Sequence, residues 1–256
     1  MNRTNEGKKI VFGGDKGGTG KTTGAVSLAS SLAARGYSVA LLDADTKIGA
    51  AKWHQSRLQF ISEIKNTPEV FSELLPSGRP QISKTLLAKL SNTILNPILC
   101  ETTTGNIHRA IVSLAAHHDF VIVDTAGGFK SELTSALTVA DLFVSPIKSS
   151  SFDLQTIEEV SSLVDKMLMI NANLKTICYL NEVPTNGSMD NISVPRNYIQ
   201  SFPHLKVADT VIKSLMSHKN SVSFGLSVME WDDAKSKGQM SLLTDEFLKI
   251  IGVGGK

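Results

Sequence analysis

Short runs of uninterrupted apolar residues alternate along this chain with longer stretches in which apolar residues recur every three or four positions. Lys9-Ile10-Val11-Phe12, Ser38–Leu42 (SVALL), Phe120–Val123 (FVIV), Leu142–Ser145 and Thr176–Leu180 are of the first kind. Runs this short and this apolar predict strands buried on both faces, as in a parallel sheet. Lys21–Arg35 is of the second kind, with Ala25, Leu28, Ala29, Leu32 and Ala33 on one stripe and Gly36 as its stop. Helices are also predicted over Trp53–Ile64, Ile82–Leu95, Ile107–Ala116, Leu154–Met169, Val211–His218 and Met240–Ile251, whereas Asn186–Arg196 reads as a loop. Strands alternating with helices, with polar residues at the strand carboxyl ends, predict a doubly wound α/β fold. Its mostly parallel sheet would carry helices on both faces. Met1–Gly7 is polar and expected to be loose. Thr67–Pro97 is interrupted by Pro68, Pro76, Pro80 and Pro97. The stretch at about 66–93 is too short to bury much by itself, so it reads as an insertion in a single domain of residues 1–256.

The first strand-to-helix junction carries the clearest chemistry. Val11–Thr23 reads VFGGDKGGTGKTT: a strand, a glycine-rich loop, then a helix beginning near Lys21. Glycines let peptide N–H groups approach an anion with no Cβ in the way. A phosphate chain placed there also meets the positive end of the helix dipole. Lys21 adds a point charge and the Thr22 hydroxyl can ligate Mg²⁺. The run from Gly14 is one residue too long for G-x-x-x-x-G-K-S/T, but it fits the variant K-G-G-x-G-K-S/T-S/T, with Lys16 as a second lysine at the loop entrance. The expected nucleotide contacts are Asp15, Lys16, Gly17, Gly18, Thr19, Gly20, Lys21, Thr22 and Thr23. Lys16, set inside the glycine run, must lie near phosphate or reach a neighbouring subunit.

Carboxylates end the next strands. Asp124 closes FVIVD, and one carboxylate near Thr22 is enough to hold a phosphate-bound Mg²⁺, often through water. Gly127-Gly128 follow and would let that segment move with the γ-phosphate. Asp43 and Asp45 close the second strand and are expected to face different sides, one toward the metal and the other toward the attacking water. Ligands in such sheets bind beyond the strand carboxyl ends, where these groups converge.

Composition changes this picture little. With 41% hydrophobic and 20% charged residues the 256-residue chain is ordinary for a soluble globular protein. Cys100 and Cys178 both sit in apolar runs and read as packing residues, which suits a reducing cytoplasm. No leader and no bilayer-spanning run is apparent in the sequence. A net charge of +2 announces no nucleic-acid binder, although it allows a local basic patch.

In this order KGGTGKTT, LLDAD and FVIVDTAGG resemble the deviant Walker ATPases of the ParA/MinD family, and the strand spacing and C-terminal stretch look most like the small ParA proteins that segregate plasmids. The resemblance is good over residues 8–60 and 105–185 and weaker beyond. It implies a P-loop NTPase fold and ATP sandwiched in a homodimer, with Lys16 reaching the partner's phosphates. Lys21 would bind the β/γ-phosphates, Thr22 the Mg²⁺, Asp43 and Asp124 would support the metal, and Asp45 would position or activate water. Asn181 matches the family position that touches adenine. Intrinsic turnover would be weak and stimulated by a ParB-like centromere-binding or other activating partner. One departure is that Asp45 is followed by Thr46-Lys47-Ile48-Gly49 where the family commonly has Pro-Gln.

The resemblance also implies non-specific DNA binding by the ATP dimer and a cytoplasmic, nucleoid-associated protein. Arg196, Lys206, Lys213, Lys219, Lys235 and Lys237 are the candidate contacts. The Met240–Ile251 helix has an apolar face of Leu242, Leu243, Phe247, Leu248 and Ile251, but Asp245 and Glu246 oppose Lys249 on its polar side. That charge pattern argues for packing on the body over a membrane-targeting role. Three functions compete: an ATPase that partitions plasmid or chromosomal DNA, a related ATPase accessory to conjugative transfer or to positioning a protein complex, and a metabolic enzyme of the nitrogenase-reductase or dethiobiotin-synthetase kind. Cys100 and Cys178 do not supply the cysteine pair the reductase needs.

Overall fold

The computed structural model describes residues 6–66, 97–148 and 154–254. The helix read over Ile82–Leu95 and nearly all of the insertion lie outside them. The five apolar runs become β1 (Lys8–Phe12), β2 (Val39–Ala44), β4 (Phe120–Thr125), β5 (Leu142–Lys148) and β6 (Lys175–Asn181); β3 (Ile98–Thr102) joins them. Among the described residues they form one sheet in the order β3-β2-β4-β1-β5-β6, with every neighbouring pair parallel.

Register explains why the site forms where it does. Phe12 pairs with Asp124, and Asp124 pairs with Asp43. The end of β1, where the glycine loop departs, therefore stands level with both carboxylates. The helices are α1 (Lys21–Ala34), α2 (Gly49–Asn66), α3 (His108–Ala115), α4 (Ser131–Leu137), α5 (Leu154–Leu168), α6 (Asp190–Gln200), α7 (Met216–Ser223) and α8 (Ala234–Ile250). Because side chains alternate along a strand, Ile10 and Phe12 face one core with Leu28 and Leu32 of α1 and Phe247 of α8. Val11 faces the other, with Ile111 of α3, Leu133 of α4 and Val160 of α5. Covering both faces is what makes the strand runs uniformly apolar.

Three expectations are corrected, and one strand was not foreseen. The loop read over Asn186–Arg196 contains the start of α6, which runs through Pro195. A mid-helix proline removes one hydrogen bond, yet Ile199 and Pro195 are buried, and the packing of this face outweighs the loss. The helix read over Val211–His218 begins only at Met216. The preceding segment runs extended beside β6, with bridges Cys178↔Val207 and Val183↔Lys213. Edge pairing with β6 satisfies its backbone and suits its β-branched Val207, Val211 and Ile212. β3 was visible only as an apolar run, since as an edge strand it is half exposed. The last helix starts at Ala234, capped by the Asp233 carboxylate, which accepts from the Lys235 and Ser236 N–H groups. On it Leu243, Phe247, Leu248 and Ile251 are buried as read, but Leu242 is 60% exposed. Its acidic residues serve the body: Asp245 pairs with Arg35, and Glu246 accepts from the backbone of Asp209 and Thr210.

Candidate functional site

The glycine loop closes on Gly20, whose φ of 100° lies in the left-handed region and starts α1. A Cβ there would also meet the Asn181 amide at 2.1 Å, so any other residue would be strained and would displace Asn181. No side chain caps α1 and no acidic residue stands in its first turn, which leaves its first N–H groups to an incoming anion. Lys21 is buried at 6% exposure, and its Nζ donates to the Lys16 carbonyl at 2.7 Å. Burial lowers its pKa, and the nearby Asp124, Asp45 and Asp15 charges oppose that effect.

The loop is clamped from two sides. Asn181 Nδ2 donates to the Thr19 carbonyl at 2.8 Å. Gly128 N–H donates to the Gly14 carbonyl at 3.1 Å, and a Cβ on Gly127 would come within 3.0 Å of Gly17 N. The segment after β4 is thus laid directly on the phosphate loop.

Thr22 Oγ1 donates to Asp124 Oδ2 at 2.7 Å. Asp124 is fully buried, and its Oδ1 has no hydrogen-bond partner among the described residues. Burial pushes its pKa up to about 7, against the Thr22 bond that favours the carboxylate. An oxygen-only donor set with an unsatisfied carboxylate oxygen beside a threonine hydroxyl fits a hard cation such as Mg²⁺. Asp43, also buried, accepts from Asp45 N–H at 3.0 Å and from Ala51 N–H at 2.8 Å. Each of its oxygens thus helps to hold the loop between β2 and α2, and each keeps a further lone pair.

Strand alternation alone would put Asp43 and Asp45 on one face. They separate because β2 ends at Ala44 and the chain turns, with Asp45 Oδ1 accepting from Lys47 N–H. Asp45 lines an open cavity of about 590 Å³ together with Asp15, Gly17, Gly18, Gly20, Lys21, Thr22 and Thr23. Lys16 does not; it lines a neighbouring cavity against Pro146, Ile147 and Lys148 at the end of β5. Asn181 lines a third, smaller cavity beyond α1. Sequence reasoning missed Lys130 and Glu182, which also line the phosphate cavity. Lys130 carries no local motif, and Glu182 had only its place beside Asn181 as a signal.

Of the basic candidates, Lys213 and Lys219 share the rim of the small cavity. Arg196 donates to the Asp209 carbonyl and lies 3.5 Å from its carboxylate. Lys235 and Lys237 stand in the first turns of α8 and Lys206 precedes the edge segment. Lys213 N–H donates to Gln239 Oε1 at 3.2 Å, which places that backbone beside the helix that carries Lys235 and Lys237. No described helix is long and apolar enough to cross a membrane.

The family model described as ATPase MipZ matches residues 8–172. Protein IncC of Escherichia coli is 26% identical over 183 residues, covering 69% of this chain and 49% of IncC, so the chain spans about half the length of that relative. The chromosome partitioning protein ParA of Myxococcus xanthus is 25% identical over 253 residues, covering 93% of this chain and 86% of that protein. The structure of Cyanothece McdA in complex with ATP superposes with a TM-score of 0.64 at 14% identity, covering 97% of this chain and 98% of McdA; that likeness is one of fold. The matched segment contains the glycine loop and both carboxylate strands, and the chain belongs to the MipZ family of ParA/MinD-type ATPases.

Proposed function

We propose that this chain is a Mg²⁺-dependent ATPase that dimerises around ATP, binds DNA non-specifically and drives partition of a plasmid or chromosome. The observation that carries this reading is the pairing of a buried Lys21 with the Thr22–Asp124 bond at the uncapped start of α1. Lys21 and the loop N–H groups would hold the phosphates. Thr22 and Asp124 would hold Mg²⁺, with Asp43 supporting the metal and keeping the Asp45 loop in place. Bound there, the ion would neutralise charge developing on the γ-phosphate. Asp45, half-exposed in the cavity, would orient the attacking water.

Lys16 lies outside the phosphate cavity of its own chain, which supports a role across a dimer interface. Duplicating weak lysine–phosphate contacts by dimerisation would convert them into useful DNA affinity. The name of the chromosome partitioning relative ParA supports partition over a metabolic role.

Sedimentation of the full chain with ADP, ATP and DNA, added separately and together, tests the reading. A dimer with ATP but not ADP, and co-sedimentation with DNA only when ATP is present, is the expected result. A monomer under all conditions, or DNA binding indifferent to nucleotide, rejects it.

A further inference from the structure

The phosphate cavity and the smaller cavity beyond α1, about 60 Å³ in volume, share three lining residues: Gly20, Thr23 and Glu182. Gly20 and Thr23 come from the start of α1, whereas Glu182 enters from the opposite side, immediately after β6. Its φ of 51° is left-handed, a conformation uncommon outside glycine. The neighbours impose it. Asn181 is still paired to Lys148 of β5. Val183 N–H donates to the Ile212 carbonyl at 3.0 Å, and Ser214 N–H donates to the Val183 carbonyl at 2.9 Å. A single residue forced out of otherwise regular pairing re-aims its side chain. Here the side chain is 31% exposed, with Oε2 at 2.8 Å from Lys148 Nζ. One ion pair does not exhaust the acceptor capacity of a carboxylate.

We propose that Glu182, oriented by Lys148, accepts hydrogen bonds from the ribose hydroxyls of the bound nucleotide and is a specificity-determining residue for ribonucleotides. The proposal rests on the nucleotide reading above. Phosphates, sugar and base follow one another in a nucleotide. With phosphates at the start of α1 and the base toward Asn181, the sugar falls where the two cavities meet. Among the residues lining the smaller cavity, Glu182 is the sole carboxylate; the others with polar side chains are Thr23, Asn181, Ser214, His218 and the two lysines. A carboxylate is well suited to a vicinal diol, since both hydroxyls donate and it only accepts. Dinucleotide-binding folds use an acidic residue on the ribose in the same chemical sense.

Calorimetric titration of the full chain with ATP, 2′-deoxy-ATP and 3′-deoxy-ATP tests this, comparing the wild type with Glu182→Gly. Glycine takes the left-handed backbone without strain, so the carboxylate is removed with the fold kept. The wild type should prefer ATP over the deoxy analogues by roughly tenfold or more. In Glu182→Gly, ATP should weaken to the level of the analogues. Glu182→Asn, shorter, uncharged and tolerant of the same backbone, gives the same reading should the glycine variant fail to fold. Equal wild-type affinity for all three nucleotides, or undiminished discrimination in the variants, overturns the proposal alone. A wild type that binds none of the three overturns the nucleotide reading with it.

Discussion

Thr22 Oγ1 donates to Asp124 Oδ2 at 2.7 Å, while Asp124 Oδ1, equally buried, has no partner among the described residues. Burial raises its pKa to about 7 from an ordinary 3.8, although the Thr22 bond and the nearby Lys21 charge both favour the carboxylate. A group whose folded pKa is raised favours folding when protonated, so the nucleotide-free chain should gain stability as pH falls from above 7 toward 4. Asp124→Asn removes the charge and should stabilise the metal-free chain at pH 8 by about 1–3 kcal/mol, with the difference from wild type shrinking below pH 7. The same variant should lose the Mg²⁺ enhancement of nucleotide affinity. Thermal unfolding across pH, with and without Mg²⁺ and nucleotide, measures both; a less stable Asp124→Asn at pH 8 counts against the unpaired carboxylate.

Lys21 is positioned by its bond to the Lys16 carbonyl and by burial at the mouth of α1. Lys21→Ala should cost about tenfold to a hundredfold in ATP affinity, the range for a charge-assisted contact. Calorimetry decides it, and ordinary ATP affinity in that variant rejects the phosphate cradle.

Lys16 faces the β5 end and not its own phosphate cavity. Lys16→Ala and Lys16→Gln should therefore bind a non-hydrolysable ATP analogue yet remain monomeric. Light scattering reads this directly, and normal dimers would remove Lys16 from the interface.

Asp45 lines the cavity at half exposure, while buried Asp43 holds its loop. Asp45→Ala should bind ATP and dimerise, with turnover reduced about a hundredfold or more. Single-turnover phosphate release is the measurement, and wild-type hydrolysis would show that another group orients the water.

Away from the site, Arg57 of α2 is 3% exposed and bonds both Glu230 carboxylate oxygens and the Gly225 carbonyl. It also lies over Trp53. Arg57→Ala takes the cation from Glu230 and leaves it the Ser227 N–H and hydroxyl, and should destabilise the fold by about 3–5 kcal/mol. Urea unfolding tests this, and a loss under about 1 kcal/mol would place the pair among weak surface bridges.

The phosphate loop was legible because its chemistry is contiguous: glycines, Lys21 and Thr22 act through backbone and side chains of one short segment. The five buried strands were legible for a related reason, since double burial leaves an apolar run that polar alternation cannot mimic. The edge strand Ile98–Thr102 was not, because one exposed side dilutes that signal. The segment at Val211 was misread as helix because its partner in β6 lies some thirty residues earlier in the chain. Local patterning alone thus determined the five buried strands and the cradle. Only tertiary packing decided that Asp43 turns inward to hold the loop, that Asp124 is left with a bare oxygen, and that Glu182 is pressed between two cavities. Each of these depends on register between strands far apart in sequence, and a linear pattern does not encode which residue will stand opposite which.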